Sequence, residues 1–455
     1  MEGGEIITLQ FGGEVSNFVG THFWNIQDDY LALQRSIDSE NDYTLPETAS
    51  EAATGVNNEL LYRVSQTQLG QTVATPRLVA VDVTTGLGSY NPLSFWHGEQ
   101  EIPQGGATDV WSGSVDTYVS QRKEKNEFQQ WLDAGAKVDT EEEIAAIPEV
   151  EGTVQYWTDY MKSYLHPRSV ITLPIHGNDG FDMYTGGTDA FCPTSKIEDI
   201  SESVRFFLEE CDRIQGFHCF VDVNSSFGII AETLLDVIKD EARSAVTIGF
   251  GMGLATLGEM EKDMRRQDLN KAISLARIGA RTSLYFPFDV DRLPANTDGL
   301  AGYNAKSKYQ RTAIAAGYVD GMSSVYRLKE KQSDIHQFRD SLCQLPVMNV
   351  CKGSFFFGAS ETQTTDVSQQ PFRTRRICAT MAIPVTYPKY FAENTMINTV
   401  STVEMECKDI VSELEKASRV QDRQLFLDFA KGEHGISPEE FEEVRERLQL
   451  VKESY

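Results

Sequence analysis

The stretch Glu5-Ile6-Ile7-Thr8-Leu9-Gln10-Phe11-Gly12-Gly13-Glu14-Val15-Ser16-Asn17-Phe18-Val19-Gly20-Thr21-His22-Phe23-Trp24 decides the fold. Ile6, Ile7, Leu9 and Phe11 make a nearly continuous apolar run, the pattern of a strand buried on both faces of a parallel sheet. Gly12-Gly13 ends the run, and a polar segment leads through Val19-Gly20 to the bulky Phe23-Trp24. Strand, glycine turn and helix start in that order are the first βα unit of a nucleotide-type α/β domain, where helix-start amides face a phosphate. Glu14 in the same loop opposes that chemistry, because the positive end of a helix favours an anion only where no carboxylate competes.

Working outward, Arg77–Val83 reads as a second buried strand ending in Thr84-Thr85-Gly86-Leu87-Gly88, Ser169–Leu173 as a third and Phe217–Val223 as a fourth. Ile200, Val204, Phe207, Leu208, Cys211 and Ile214 recur at helical spacing between them, and another helix runs from Ile229. Strands alternating with helices predict a doubly wound α/β sheet. Val154, Trp157, Tyr160, Met161, Tyr164 and Leu165 also recur at helical spacing, predicting an amphipathic helix stopped at His166-Pro167. His166 is then a helix-end residue favoured by the dipole, and His22 a packed or capping residue.

Polar residues 36–70 read as a long surface loop, 98–114 as a Gly- and Ser-rich loop and 121–151 as a charged, partly helical stretch. Gly249-Phe250-Gly251-Met252-Gly253 offers no Gly-x-Gly-x-x-Gly register and reads as a strand-end turn. Residues 309–327 predict a small-residue helix; Phe355-Phe356-Phe357 and Ala382-Ile383-Pro384-Val385 predict strand pieces of a second domain. Ser437, Pro438 and Glu440 form a helix-start signature, after which Phe441, Val444, Leu448 and Val451 line one face. The expected division is 1–250, a nucleotide-binding-type domain; 251–400, a smaller α+β domain; and 401–455, C-terminal helices.

The chain has 455 residues and a formal charge of −27, which disfavours nucleic acid and anionic membrane surfaces as partners. Arg373-Thr374-Arg375-Arg376 is one compact basic cluster and reads as a solvated loop. Seven cysteines, none in a Cys-x-x-Cys pair, point to reduced thiols rather than a disulfide frame or zinc site. No apolar run approaches the ~18 residues of a membrane span, and neither a secretory leader nor a prenylation cysteine is legible, so the expectation is a cytoplasmic protein. No Ser/His/Asp, Cys/His or paired-carboxylate constellation can be assembled, so no catalytic or metal-ligating set is expected.

The opening stretch resembles the start of tubulins, and Asn17-Phe18-Val19-Gly20-Thr21-His22-Phe23-Trp24-Asn25 is similar to the signature of the Misato family of tubulin-related proteins. Thr75-Pro76-Arg77 and the order Trp157-x-Asp159 to His166-Pro167-Arg168-Ser169 carry the same resemblance. It implies a tubulin-like fold: a Rossmann-type parallel sheet, a smaller α+β domain and C-terminal helices. It also implies a role in mitochondrial distribution and inheritance, at the mitochondrial outer surface, with tubulin or the cytosolic chaperonin as partners.

Tubulins run from a Cys-x-x-x-Gln-Gly-Phe segment into a glycine-rich phosphate loop. Here Cys211-Asp212-Arg213-Ile214-Gln215-Gly216-Phe217 leads to Asp222-Val223-Asn224-Ser225-Ser226-Phe227-Gly228, with one glycine left. Glycines let backbone amides curl toward phosphate oxygens; Val223 and Phe227 replace that room with bulk, and Asp222 adds charge. A like-charge contact at ~4 Å costs on the order of 4 kcal/mol at an effective dielectric near 20. The expected remnant pocket comprises Gly12, Gly13, Ser16, Asn17, Asn224, Ser225, Ser226 and Gly228, with no cofactor. Asp222 reads as a cap or water ligand, a magnesium ligand being the alternative. The reading favours a non-enzymatic scaffold, with a GTP-binding, polymerising GTPase as rival; Asp236, Asp240 and Glu241 are its candidate acids by charge alone.

Overall fold

The computed structural model describes residues 4–38, 55–66, 70, 72–90, 124–133, 151–174, 181–186, 188, 194–254, 261–293, 303–329, 334–343, 348–354, 402–404, 408–419, 423–431 and 435–454. The expectations for 98–114, 355–357, 373–376 and 382–385 lie outside these residues.

The first apolar run forms β1 (Glu5–Phe11), and α1 (Ser16–Asp38) follows the glycine pair. A hairpin of β2 (Tyr62–Gln66) and β3 (Thr72–Pro76) precedes β4 (Leu78–Val83). Then come α2 (Glu127–Asp133), β5 (Val170–Leu173), α3 (Thr194–Glu209), β6 (Ile214–Asp222), α4 (Phe227–Glu241), β7 (Val246–Gly253), α5 (Glu261–Ile278) and β8 (Leu284–Asp289). After these come α6 (Lys308–Arg327), α7 (Ile335–Leu342), β9 (Lys352–Ser354), β10 (Thr402–Glu404), α8 (Lys408–Ser418), α9 (Arg423–Phe429) and α10 (Pro438–Ser454).

Six strands make one parallel sheet in the order β5-β4-β1-β6-β7-β8. The order reverses at β1, placing a topological switch point between β1 and β6, where α/β sheets bind ligands beyond their carboxyl strand ends. Strand alternation divides the core. Ile6, Leu78, Ala80 and Phe220 face the side packed with α1, α6 and α7, whereas Ile7, Leu9, Phe11 and Val221 face α3, α4, α5 and α8 to α10. The expected capping box closes on α10: Ser437 N–H donates to Glu440 Oε2 at 2.8 Å and Glu440 N–H to Ser437 Oγ at 3.1 Å. No described helix is long and apolar enough to cross a membrane.

Four local expectations are corrected. Within 36–70, Val56, Leu60, Leu61 and Tyr62 are buried and β2 is a strand, so that stretch is not simply surface loop. Trp157–Tyr160 is a single 3-10 turn rather than part of an α-helix, because its side chains are drawn to partners far off in the chain. Gly249 to Gly253 lie inside β7, not in a turn. Added Cβ atoms at Gly249 and Gly251 would strike Tyr285 of β8, so these glycines make room for a neighbour's ring. His166 precedes a 3-10 turn, its Nδ1 accepting Arg168 N–H at 3.2 Å, and stacks on Phe206; burial holds its pKa down at about 4, so no dipole-stabilised imidazolium forms. His22 is packed as expected, between the rings of Tyr160 and Tyr309 at 4.5 Å each.

Candidate functional site

Two connections meet at the switch point. The β1–α1 turn carries Gly12 at φ +117°, a left-handed conformation that suits glycine. A Cβ on Gly12 would collide with Asp222, and one on Gly13 would press on the Asp82 carboxylate. Gly12 and Gly13 thus touch the ends of β6 and β4, and the sequence-derived set does converge there. Ser16 and Asn17, however, turn inward. Ser16 Oγ donates to Phe11 O at 2.5 Å, and Asn17 Nδ2 donates to Asp82 Oδ2 at 3.3 Å.

The second connection, 222–228, spends its donors within the protein. Val223 N–H donates to Met252 O at 3.1 Å, Asn224 N–H to Asp222 Oδ1 at 2.9 Å, Ser226 N–H to Phe181 O at 2.9 Å and Gly228 N–H to Ser225 O at 3.3 Å. Ser226 Oγ donates to Met183 O. Residues 181–186 therefore lie as a strap across the start of α4. The strap is held in three ways. Phe181 packs edge-on to Phe227 at 4.9 Å, Tyr184 Oη donates to Glu232 Oε2 at 2.7 Å, and Asn270 links it to the loop. Asn270 Oδ1 accepts Tyr184 N–H, while its Nδ2 reaches both Asp182 O and Asn224 O, each contact at 2.8 Å. Gly228 allows this closure, since a Cβ there would hit the Tyr184 ring.

The electrostatics run against an anion. Asp82 is 1 % exposed and accepts N–H bonds from Val83 at 2.7 Å, Trp157 Nε1 at 2.6 Å and Asn17. Burial raises its pKa to about 6 in spite of these donors. Asp222, 2 % exposed, is pushed up to about 7 by burial, with Glu14 and Asp82 adding to the rise and the Asn224 N–H and Lys308 opposing it. Glu14 itself is turned outward, its side chain 82 % exposed, and pairs with Lys308 Nζ at 2.7 Å. That lysine also sits 3.9 Å from the Phe18 ring centre. Among the described residues no three His, Cys, Asp or Glu side chains group to hold a metal ion.

A guanosine triphosphate, which a tubulin-like fold implies, needs free loop amides and a neutral or positive cradle. These residues fit it poorly: the amides of 223, 224, 226 and 228 are engaged, and two buried carboxylates flank the turn. Asn17 Oδ1, Asn224 Oδ1 and Ser225 Oγ are buried without a hydrogen-bond partner among the described residues; the two amide oxygens cannot donate to an anion, and of the three atoms only the Ser225 hydroxyl could. Asp236 and Glu241 are occupied on the outer face of α4 by Arg281 and Arg205, at 2.9 and 2.6 Å. Sequence reading missed Asp82, Trp157, Asn270 and Lys308 as parts of this site. Gly13 and Gly86, both closing on the Asp82 carboxylate, were the available signal.

Residues 4–134 match the family model for the Misato Segment II tubulin-like domain, and residues 147–328 match the one for the tubulin domain. The chain is 28% identical over 377 residues to Protein misato homolog 1 of Bos taurus, covering 75% of this chain and 63% of the relative. It is 28% identical over 394 residues to Protein dml-1 of Neurospora crassa, with 82% and 66% covered. For Protein misato homolog 1 of Homo sapiens the values are 28% over 363 residues, 72% and 61%. The chain thus spans 61–66% of the length of these relatives. With two tubulin-type domain matches set on this six-stranded parallel sheet, the chain is tubulin-like and similar to the Misato family of tubulin-related proteins.

Proposed function

We propose that this chain is a non-enzymatic, tubulin-like scaffold or adapter, and that GTP is not its cofactor. The observation that carries the reading is the closed 222–228 loop, whose amides donate to Phe181 O, Met252 O, Ser225 O and Asp222 itself. A triphosphate would have to displace the strap and also sit beside Asp222 and Asp82. The family resemblance supplies the wider role: mitochondrial distribution and inheritance, exercised from the cytosol at the mitochondrial outer surface, with tubulin or the tubulin-folding chaperonin as the bound partner. The charge of −27 favours partners with basic faces.

The deciding experiment is a GTP titration of the full chain by calorimetry, with and without magnesium. The expected result is no binding at micromolar concentrations in either condition. Micromolar binding would overturn the scaffold reading in favour of a GTPase, as would nucleotide-dependent pelleting. A tagged full chain expressed in cells should recover tubulin or chaperonin subunits. Recovery of outer-membrane proteins alone would shift the partner assignment to the mitochondrial surface and leave the nucleotide result standing.

A further inference from the structure

The β2–β3 hairpin packs near the amino ends of β1 and β4, away from the switch point, and against the end of α3. Its inner face is polar. Arg63 and Ser65 stand on β2, Thr75 is directly opposite Arg63 on β3, and Arg77 follows two residues later. Val64 and Gln66, which alternate with the first two, are exposed, Val64 by 72 %. Thr75 and Arg77, by contrast, are 0 % and 8 % exposed.

Four buried donors of this face have no hydrogen-bond partner among the described residues: Arg63 Nη1, Ser65 Oγ, Thr75 Oγ1 and Arg77 Nε. Buried polar groups are ordinarily paired, and a donor left without an acceptor destabilises the fold. The rest of each guanidinium is engaged. Arg77 Nη1 donates to Glu59 O at 2.9 Å and to Tyr62 O, and its Nη2 lies 3.8 Å from Glu5 Oε1. The Glu5 carboxylate in turn accepts the N–H groups of Asp212 and Arg213, at 3.2 and 2.9 Å. Cys211, whose thiol donates to Phe207 O at 3.1 Å, borders Arg77. Arg63 Nη2 donates to Glu210 Oε1 at 2.5 Å. Glu210 lies just past the end of α3 with its side chain 32 % exposed, so it can swing off Arg63 without unpacking the core. Arg168 lies 4.9 Å from the Phe206 ring centre, and Arg63 lies 5.1 Å from the same centre. The exposed Arg168 guanidinium has no hydrogen-bond or ion-pair partner among the described residues.

We infer that this face is an oxyanion site, which takes a phosphate group in place of the Glu210 carboxylate. Two guanidinium and two hydroxyl donors suit the several acceptor oxygens of a phosphate better than the two of a carboxylate. Phosphate also brings more negative charge to Arg63 and Arg77, and Arg168 steers it to the entrance. No residue of the switch-point loops takes part.

The test is a calorimetric titration of the full chain with inorganic phosphate at about pH 7.5 and constant ionic strength. Binding at about 1 mM or tighter is expected. Glu210→Gln removes the competing charge and should tighten phosphate about three- to tenfold. Thr75→Val keeps the shape, deletes the hydroxyl and should weaken phosphate about three- to tenfold. Arg63→Gln should weaken it at least about tenfold. That variant leaves the switch point untouched and so separates phosphate bound here from nucleotide bound there. If Arg63→Gln does not fold, the other two variants carry the test. Phosphatidylcholine vesicles with and without phosphatidic acid distinguish the source of the phosphate. The charge of −27 opposes an anionic surface, so free phosphate should bind and the acidic vesicles should not. Retention on acidic vesicles, strengthened by Glu210→Gln and weakened by Thr75→Val, would assign the same site to a lipid headgroup. The inference is overturned if neither phosphate nor acidic vesicles bind, if Glu210→Gln does not tighten binding, or if Thr75→Val binds as the parent chain does.

Discussion

Asp320 and Asp222 are both buried carboxylates, one between two helices and the other at a strand end. Asp320, on α6, has a full set of partners. Arg327 Nη2 at 2.5 Å and Gln27 Nε2 at 2.7 Å reach its Oδ1, and Tyr30 Oη at 3.2 Å reaches its Oδ2. Arg327 in turn donates to Gln27 Oε1 at 2.6 Å and Ser323 Oγ at 3.0 Å. Both charged side chains are essentially sealed from solvent, at 0 % and 1 % exposure. Asp222 has one backbone N–H and two carboxylate neighbours, and Lys308, the cation that opposes its rise, is already paired with Glu14. A buried charge with a matched cation sets the register of α1 against α6. One without a cation keeps its proton instead.

The comparison breaks most sharply at the clasp. Arg327→Met should cost about 3–5 kcal/mol in urea unfolding, because it strands the Asp320 carboxylate between α1 and α6. A loss below about 1 kcal/mol would mean that the clasp does not carry its charge as described. The switch-point carboxylate predicts the opposite sign. Its folded pKa of about 7 lies above the ordinary 3.8, so the folded chain holds a proton that the unfolded chain releases first. Stability from this group is therefore fully present below about pH 4 and falls as pH rises toward 7. Asp222→Asn should remove that fall, raising stability at pH 8 by up to roughly 4 kcal/mol and leaving it nearly unchanged at pH 4. A destabilised variant at pH 8 would refute the assignment.

Smaller effects sharpen the same contrast. Trp157→Phe removes the 2.6 Å donor to Asp82 and should cost about 1.5–3 kcal/mol at pH 8. Part of this loss should disappear near pH 2.5, below both the folded pKa of about 6 and the ordinary 3.8, where Asp82 is protonated in both states; equal losses at both pH values would assign it to packing alone. Lys308→Met breaks the ion pair with the exposed Glu14 and should change stability by less than about 1 kcal/mol, an effect that fades in 0.5 M salt. A larger, salt-resistant loss would show that Lys308 acts chiefly through the Phe18 ring.

Much of this architecture was legible as sequence. Apolar runs marked β1, β4, β5 and β6 because strands covered on both faces need no polar alternation. Ser437, Pro438 and Glu440 marked the start of α10 because capping depends on residues three apart. The scarcity of glycine in 222–228 was equally visible. The 154–165 segment shows why local pattern has limits. Its helical spacing was real, but Trp157 is bound to Asp82, 75 residues away, and Asn25 takes the carbonyl of Tyr160 at 2.9 Å.

The amino-acid order alone determined that β1, β4, β5 and β6 are buried strands, where α10 begins and that residues 222–228 carry a single glycine. These properties reside in backbone freedom and in the burial preference of neighbouring side chains. Only the tertiary structure decided that the strap 181–186 covers the start of α4, that Glu14 pairs with Lys308, and that Gly249 and Gly251 of β7 make room for Tyr285. Those outcomes depend on which distant groups compete for the same donor, charge or space, and that competition exists only once the sheet has brought them together.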